Sequence, residues 1–387
     1  MSPIDSTAAP GTLVIVDPSV DVTGAFMCAR TTARILKDDL EVCLILPAGS
    51  RIPSRYLEDF STVHYLPMRQ LRRSLSSLLL YLPMLLYSSW KLRMILRSYP
   101  DSVLQMNDFY LLQGVGARLL GYRGALFTWV RMDPGRFGAL LSRIWLGLGN
   151  RFSRSMVAVS EFIRQRLPFS LAESAITVHD PVPLDDPAER MAAGCNTADR
   201  RLVFIGNYIR GKGQDLALRA FLDIAEDYPD ASLHFHGGDM GLPANIRFRE
   251  ALQAMARRHP CGHRVIFHDF VDDVAAVYGQ SCVALNCSDS ESFSLTVLEA
   301  CFHGLPVIAT RSGGPQEIIE DGRTGLLVPT GDVQAISEAM RHLLDDDGAA
   351  REMGRAAGIH VREKFSPGAF RERLLELYGG GFRRRVS

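Results

Sequence analysis

The chain lacks most of the features that would settle its class at a glance. Its 387 residues carry no net formal charge and include only three tryptophans. Seven cysteines (Cys28, Cys43, Cys195, Cys261, Cys282, Cys287 and Cys301) form no C-x-x-C pair and are odd in number. Cys43, Cys282 and Cys287 sit in apolar runs and read as small core hydrophobes, which fits a reducing compartment. The opening "MSPIDSTAAPG" has no basic region followed by an apolar core, so no signal peptide is expected. No apolar run approaches the roughly 20 residues a spanning helix needs; the densest, residues 78–87, is about half that. The first β-branched run is followed by "DPSVDVTGAF", without the G-x-G-x-x-G of a dinucleotide site, which argues against a nicotinamide dehydrogenase. A second near-miss is "VFIGNYIRGKGQD": Gly211-Lys212 has P-loop spacing, but Gly213 stands where Ser or Thr would hold Mg²⁺.

What is present is ordinary in bulk and uneven in detail. Hydrophobic residues make up 47% and charged residues 22%, the balance of a soluble globular protein, and the length implies more than one domain. Residues 51–166 hold 17 Lys/Arg against 6 Asp/Glu, so this stretch carries +11 and the remainder −11. A basic half in a neutral chain suits an anionic surface or ligand, or a solvated face balanced by acidic helices elsewhere. Within it, residues 69–97 combine leucines with Arg69, Arg72, Arg73, Lys91, Arg93 and Arg97, plus Trp90. Two readings stand side by side: a helix lying at an anionic membrane surface, or a helix buried against a parallel sheet.

Along the chain, short β-branched runs ("TLVIV", "EVCLILP", "VHYLP", "SVLQM", "ALFTWV", "SMVAVS", "AITVHDP") alternate with helical spacing. That alternation predicts a parallel sheet covered on both faces and joined by right-handed crossovers. Residues 182–200, rich in Asp, Pro, Ala and Gly, read as a linker, after which the pattern restarts with "RLVFIG", "SLHFHG", "RVIFHDF", "CVALNCS", "PVIAT" and "TGLLVP". The expected architecture is α/β, two doubly wound Rossmann-like domains facing a cleft, with boundaries at 1–198 (acceptor side), 199–365 (donor side) and 366–387 (a helix and tail packing back on the first domain).

The richest stretch is "DSESFSLTVLEACFHGLPVIATRSGGPQEIIEDGRTGLLVP". A strand ends at Ser288, a polar loop carries Glu291, and a helix is expected from about Ser294. Backbone N–H groups of Ser294, Leu295 and Thr296 would then be unpaired donors suited to a diphosphate. Glu299 falls inside that helix. Glu291 and Glu299, with "ESFSLTVLEA" between and "GLPVIATRSGG" after, resemble the E-x₇-E signature of retaining GT-B glycosyltransferases of glycosyltransferase family 4. The resemblance covers nearly all of the second domain and extends more weakly into the first.

It implies specific roles. The residue at Glu291 hydrogen-bonds hydroxyls of the transferred sugar, and that at Glu299 binds the nucleotide ribose. Backbone at Phe293, Ser294, Leu295 and Thr296 holds the diphosphate, and Lys212 offsets charge on the leaving group. Base contacts are expected from backbone around Val271. The nucleotide sugar is a co-substrate, UDP expected before GDP; no cofactor and no metal are expected.

Three positions depart from the family pattern. Asn207 stands where Arg usually follows the glycine, and Arg210 is the expected substitute. "VRMDPGR" replaces a His-Asp near the donor sugar, with Arg131 or Asp133 as stand-ins. The first-domain loop has Thr23-Gly24 rather than paired glycines, Gly24 still letting the backbone near the donor. His234 and His236 share a strand face, but no third ligand has motif spacing, so they read as structural.

The function expected is hexose transfer from a nucleotide diphosphate sugar to a glycan or lipid-linked acceptor, in surface polysaccharide or glycoconjugate synthesis. The alternatives are a weakly active or inactive GT-B binding protein and a nucleotide-sugar epimerase. The location expected is cytoplasmic, at the inner face of the cell membrane if residues 69–97 bind lipid; no nucleic-acid partner is expected.

Overall fold

The computed structural model describes residues 11–68, 75–184 and 200–381, with the backbone alone of residues 75–80. The chain divides into two compact units, Met1–Asp180 with Pro367–Ser387, and Pro181–Ser366. Most of the linker read at 182–200 therefore lies outside the described residues.

In the first unit the β-branched runs form β1 (Gly11–Val16), β2 (Leu40–Pro47), β3 (Thr62–Leu66), β4 (Val103–Met106), β5 (Leu126–Val130), β6 (Ser155–Ala158) and β7 (Ile176–Thr177). They pair in the order β3-β2-β1-β4-β5-β6-β7, every pairing parallel. Leu13, Val14, Ile15 and Val16 have no exposed surface, as expected for a strand covered on both faces. Helix α1 (Gly24–Leu36) is capped by Thr23, whose hydroxyl accepts from the Phe26 N–H. Helices α2 (Leu75–Ile95), α3 (Gln113–Leu119) and α4 (Ala139–Phe152) follow β3, β4 and β5 in turn. Gly116 on α3 has no space for a Cβ, which would lie 2.1 Å from Ser89 Oγ, so α2 and α3 pack at close range.

The helix Pro367–Gly379 is counted with this unit. Its Tyr378 is fully buried, donates its hydroxyl to Gln105 Oε1 at 2.5 Å and accepts from Trp129 Nε1 at 3.2 Å.

The second unit holds β8 (Arg200–Ile205), β9 (Ala231–His236), β10 (Val265–His268), β11 (Val283–Asn286), β12 (Val307–Thr310) and β13 (Leu326–Val328), ordered β10-β9-β8-β11-β12-β13 and all parallel. The strand order reverses between β8 and β11, the place where an open doubly wound sheet leaves a crevice at its carboxyl edge. The loops after β8 and β11 carry Lys212 and Glu291. Sheet topology alone makes them neighbours.

Candidate active site

After β8 the chain turns through Gly211 and Gly213, both with φ near +85° (88° and 83°), into the helix Gln214–Ile224. Gly213 is irreplaceable on two counts. Its backbone is left-handed, and an added Cβ would lie 2.0 Å from the Cys287 carbonyl oxygen at the end of β11. We expect Gly213→Ala to cost roughly 3 kcal/mol by urea denaturation, from overpacking and backbone strain together; a loss near zero would mean the two loops do not sit this close.

The turn aims Lys212 across the switch point. Its Nζ donates to Glu291 Oε1 at 2.8 Å, and the same oxygen accepts from Ser288 Oγ at 2.7 Å and Asn286 Nδ2 at 3.5 Å. Burial pushes the Glu291 carboxyl up, but the Lys212 charge and the bonds from Lys212, Ser288 and Asn286 outweigh it and hold the group below its ordinary value. Its backbone is fixed too: Glu291 N–H donates to Ser312 O, and Gly314 N–H to Glu291 O, both at 2.9 Å. Gly314 allows this, since a Cβ there would meet the Phe293 backbone at 2.3 Å.

Ser294 sits at φ 82°, ψ 83°, a left-handed conformation that costs a non-glycine residue about 1–3 kcal/mol. Asn286 Nδ2 holds its hydroxyl at 3.0 Å. The helix begins one residue later than expected, spanning Leu295–Phe302, with no side-chain cap at its start. Its first-turn N–H groups at Leu295, Thr296 and Val297 have no intrahelical acceptor and point out of the amino end, the arrangement that receives phosphate. Glu299 lies in the second turn, where burial pushes its carboxyl up to about 7.

The departures resolve into structural commitments. Asn207 Oδ1 accepts from Gly238 N–H at 3.1 Å and so ties the end of β8 to the end of β9. Arg210, expected near the phosphate, instead lies over the Phe248 ring at 5.1 Å and is not brought to Lys212 and Glu291. Val271 is partly buried in the loop after β10, beside the exposed Phe270.

In the first unit, Gly24 is exposed at the amino end of α1. Arg131 is 8% exposed; its Nε donates to Asn107 Oδ1 at 2.9 Å, its Nη1 to Asp180 at 2.9 and 3.0 Å, and its guanidinium covers the Trp129 ring. Asp133 caps the turn Pro134–Phe137 through Gly135 N–H and pairs with Arg166 at 3.1 Å.

Sequence reasoning did not foresee the network around Arg131. Asp17 accepts from Ser19 N–H and from Asn107 Nδ2, at the carboxyl ends of β1 and β4. Asp108 accepts from the N–H groups of Phe109 and Arg131, and burial still pushes it up to about 7. The only signal was a polar residue ending each apolar run ("VIVD", "QMND", "VHD").

The histidines also differ from expectation, because a third ring joins them. His268 on β10 pairs with His236 in register, and His234 Nδ1 lies 3.0 Å from His268 Nε2. The His236 and His268 rings stack at 4.1 Å and 7°. Ring nitrogens of His234, His236 and His268 all lie within 4.8 Å of one another, so these three side chains could share an ion. Burial also lowers His236 to about 4. The three rings stack across the two strands.

A cavity of about 300 Å³ lies elsewhere in this unit, lined by Arg200, Ser281, Val283 and Pro306 where β8, β11 and β12 begin, at the edge opposite Glu291.

The fold is that of the GT-B glycosyltransferases. It aligns with the Anabaena protein HepE, solved with UDP and glucose, at a TM-score of 0.79 and 18% identity over 96% of this chain and all (100%) of that one. Sucrose-phosphate synthase from Thermosynechococcus elongatus aligns at 0.75 and 18%, covering 96% and 98%. More particularly, residues 199–346 match the family model for glycosyl transferases group 1. A D-inositol 3-phosphate glycosyltransferase of Corynebacterium diphtheriae is 33% identical over 194 residues, 49% of this chain and 44% of that one. The GDP-mannose-dependent alpha-(1-6)-phosphatidylinositol monomannoside mannosyltransferase of Mycolicibacterium smegmatis is 30% identical over 240 residues, 57% and 61% of the two chains. The match thus spans about half the length of these curated relatives.

Proposed function

We propose that the chain is a retaining, metal-independent glycosyltransferase moving a hexose from a nucleotide diphosphate sugar to a glycan or lipid-linked acceptor. The observation that carries this is the Lys212–Glu291 pair set beside the uncapped helix start at Leu295. As the C1–O bond breaks, positive charge spreads over the sugar and negative charge gathers on the diphosphate. Lys212 and the helix N-terminus meet that charge with donors already in place, which is the usual dominant contribution to such catalysis. Glu291 accepts from sugar hydroxyls and Glu299 from the ribose. The acceptor attacks from the leaving-group face and passes its proton to the phosphate, so the anomeric configuration is kept. The phosphatidylinositol-linked acceptor in the mycobacterial relative's name supports a lipid-borne acceptor.

UDP is proposed before GDP as the donor nucleotide, with GDP kept open by that same relative's use of GDP-mannose. A thermal-shift screen against UDP, GDP and their sugar conjugates, without added metal, tests the site. Ligand at about 100 times its Kd stabilises by roughly 2.7 kcal/mol. We expect one nucleotide series to shift the transition and Glu299→Ala to lose that shift. A flat response to all of them removes the donor site. The second reading, a GT-B protein that binds without turnover, is favoured by one observation: Asn207 and Arg210 are both engaged elsewhere, at Gly238 and over the Phe248 ring. Donor binding with no transfer over a broad acceptor panel would select it.

A further inference from the structure

We infer that α2, with the end of α3, forms a docking surface for an anionic lipid bilayer. Helix α2 is rich in apolar residues, and a strongly apolar helix is ordinarily buried. Over its residues 81–95 only one side is. Ser88, Ser89 and Leu92 at its carboxyl end, with Leu96 in the turn that follows, point inward, whereas Leu82 (63% exposed), Leu86 (66%), Tyr87 (48%), Trp90 (51%) and Met94 (39%) face outward. Positions 82, 86, 90 and 94 recur every fourth residue and so run as one stripe along the helix. Arg93 Nε donates to Leu120 O at 3.3 Å, which brings exposed Leu119 and Leu120 at the end of α3 alongside.

The charge selects the occupant. Helices α2, α3 and α4 contain no Asp or Glu, while Lys91, Arg93, Arg118, Arg143 and Arg151 are basic. Tyr87 and Trp90 stack at 6.2 Å, with the Lys91 ammonium 5.3 Å from the Tyr87 ring. Amphipathic aromatics between an apolar stripe and cationic side chains match the acyl–headgroup boundary of an anionic leaflet. Among the described residues no helix is long and apolar enough to cross a membrane, so the contact is one of lying on the surface. The inference bears on the lipid-borne acceptor proposed above but does not need it, because vesicle binding and sugar transfer are read separately.

The test uses the full chain and vesicles of phosphatidylcholine, with or without phosphatidylglycerol. Trp129 and Trp145 are 1% and 4% exposed, so a change in tryptophan emission reports on Trp90. We expect co-sedimentation and a blue shift with the mixed vesicles at low salt, weakening as salt is raised. Leu86→Asp should lower partition by about tenfold or more, and Lys91→Glu by about fivefold or more. An unchanged circular dichroism melt shows that each variant folds. No binding to mixed vesicles overturns the proposal, as does binding unaffected by Leu86→Asp; equal binding to pure phosphatidylcholine overturns the anionic requirement. A concentration-dependent dimer lost in Leu86→Asp, without vesicle binding, would assign the face to a second copy and equally overturn it.

Discussion

Lys212→Ala lowers turnover by about 10²–10³-fold, the usual loss when one preorganised donor to a developing anion is removed. The expected result has a second part, readable from the pair's geometry. Glu291 stays below its ordinary value because the Lys212 charge and the bonds around it outweigh burial. Without Lys212, burial dominates and the carboxyl moves up. The acid limb of the rate profile therefore shifts to higher pH in the variant, since Glu291 now needs a higher pH to ionise. Glu291→Gln, which keeps the shape and leaves Lys212 in place, loses activity without that shift. Initial rates across pH on the three proteins test both parts. Wild-type rates in Lys212→Ala would remove the site assignment outright.

The second large effect concerns Glu299, and its sign is opposite for stability and for binding. Burial raises this carboxyl from its ordinary 4.5 to about 7. Below 4.5 both folded and unfolded chains hold the proton, so the group contributes nothing to pH dependence. Between 4.5 and about 7 the unfolded chain releases its proton and the folded chain keeps it, so stability falls as pH rises. Above 7 the penalty is constant, on the order of 3 kcal/mol. Glu299→Gln has no proton to release. It should match the wild type near pH 4.5 and exceed it by up to about 3 kcal/mol at pH 8 in urea denaturation. The same variant should lose affinity for the nucleotide if this carboxylate accepts from the ribose. A gain in stability together with a loss in binding is what a functional group held against its own preference produces. A variant no more stable than the wild type at pH 8 would show that solvent reaches the carboxyl; unchanged nucleotide affinity would take Glu299 out of the site.

The second-unit loops were legible because each is a local device. A β-branched run, a glycine able to reverse the chain and a helix start all lie within a dozen residues, as in "VFIGNYIRGKGQD" and "CVALNCSDSESFSLTVLEA". Even the shift of the helix start by one residue follows locally, from Ser294 adopting a left-handed backbone. Arg210 was not legible, because a flexible side chain two residues from Lys212 can turn either way, and the ring that receives it belongs to another helix. The third histidine was hidden for a different reason. His268 meets His234, 34 residues before it, only through the β9–β10 ladder.

The sequence by itself determined the strand runs, the restart of the pattern after the linker and the chemical types at the strand ends, because period and turn chemistry act over a few residues. Tertiary structure alone decided that β8 lies against β11, so that Lys212 reaches Glu291 across 79 residues. It alone gathered Asp17, Asn107, Asp108, Arg131 and Asp180 into one buried network, and it alone turned Leu82, Leu86 and Trp90 outward. The physical reason is common to all three. Local periodicity fixes which side chains share a face, but the order of strands in the sheet fixes what that face meets.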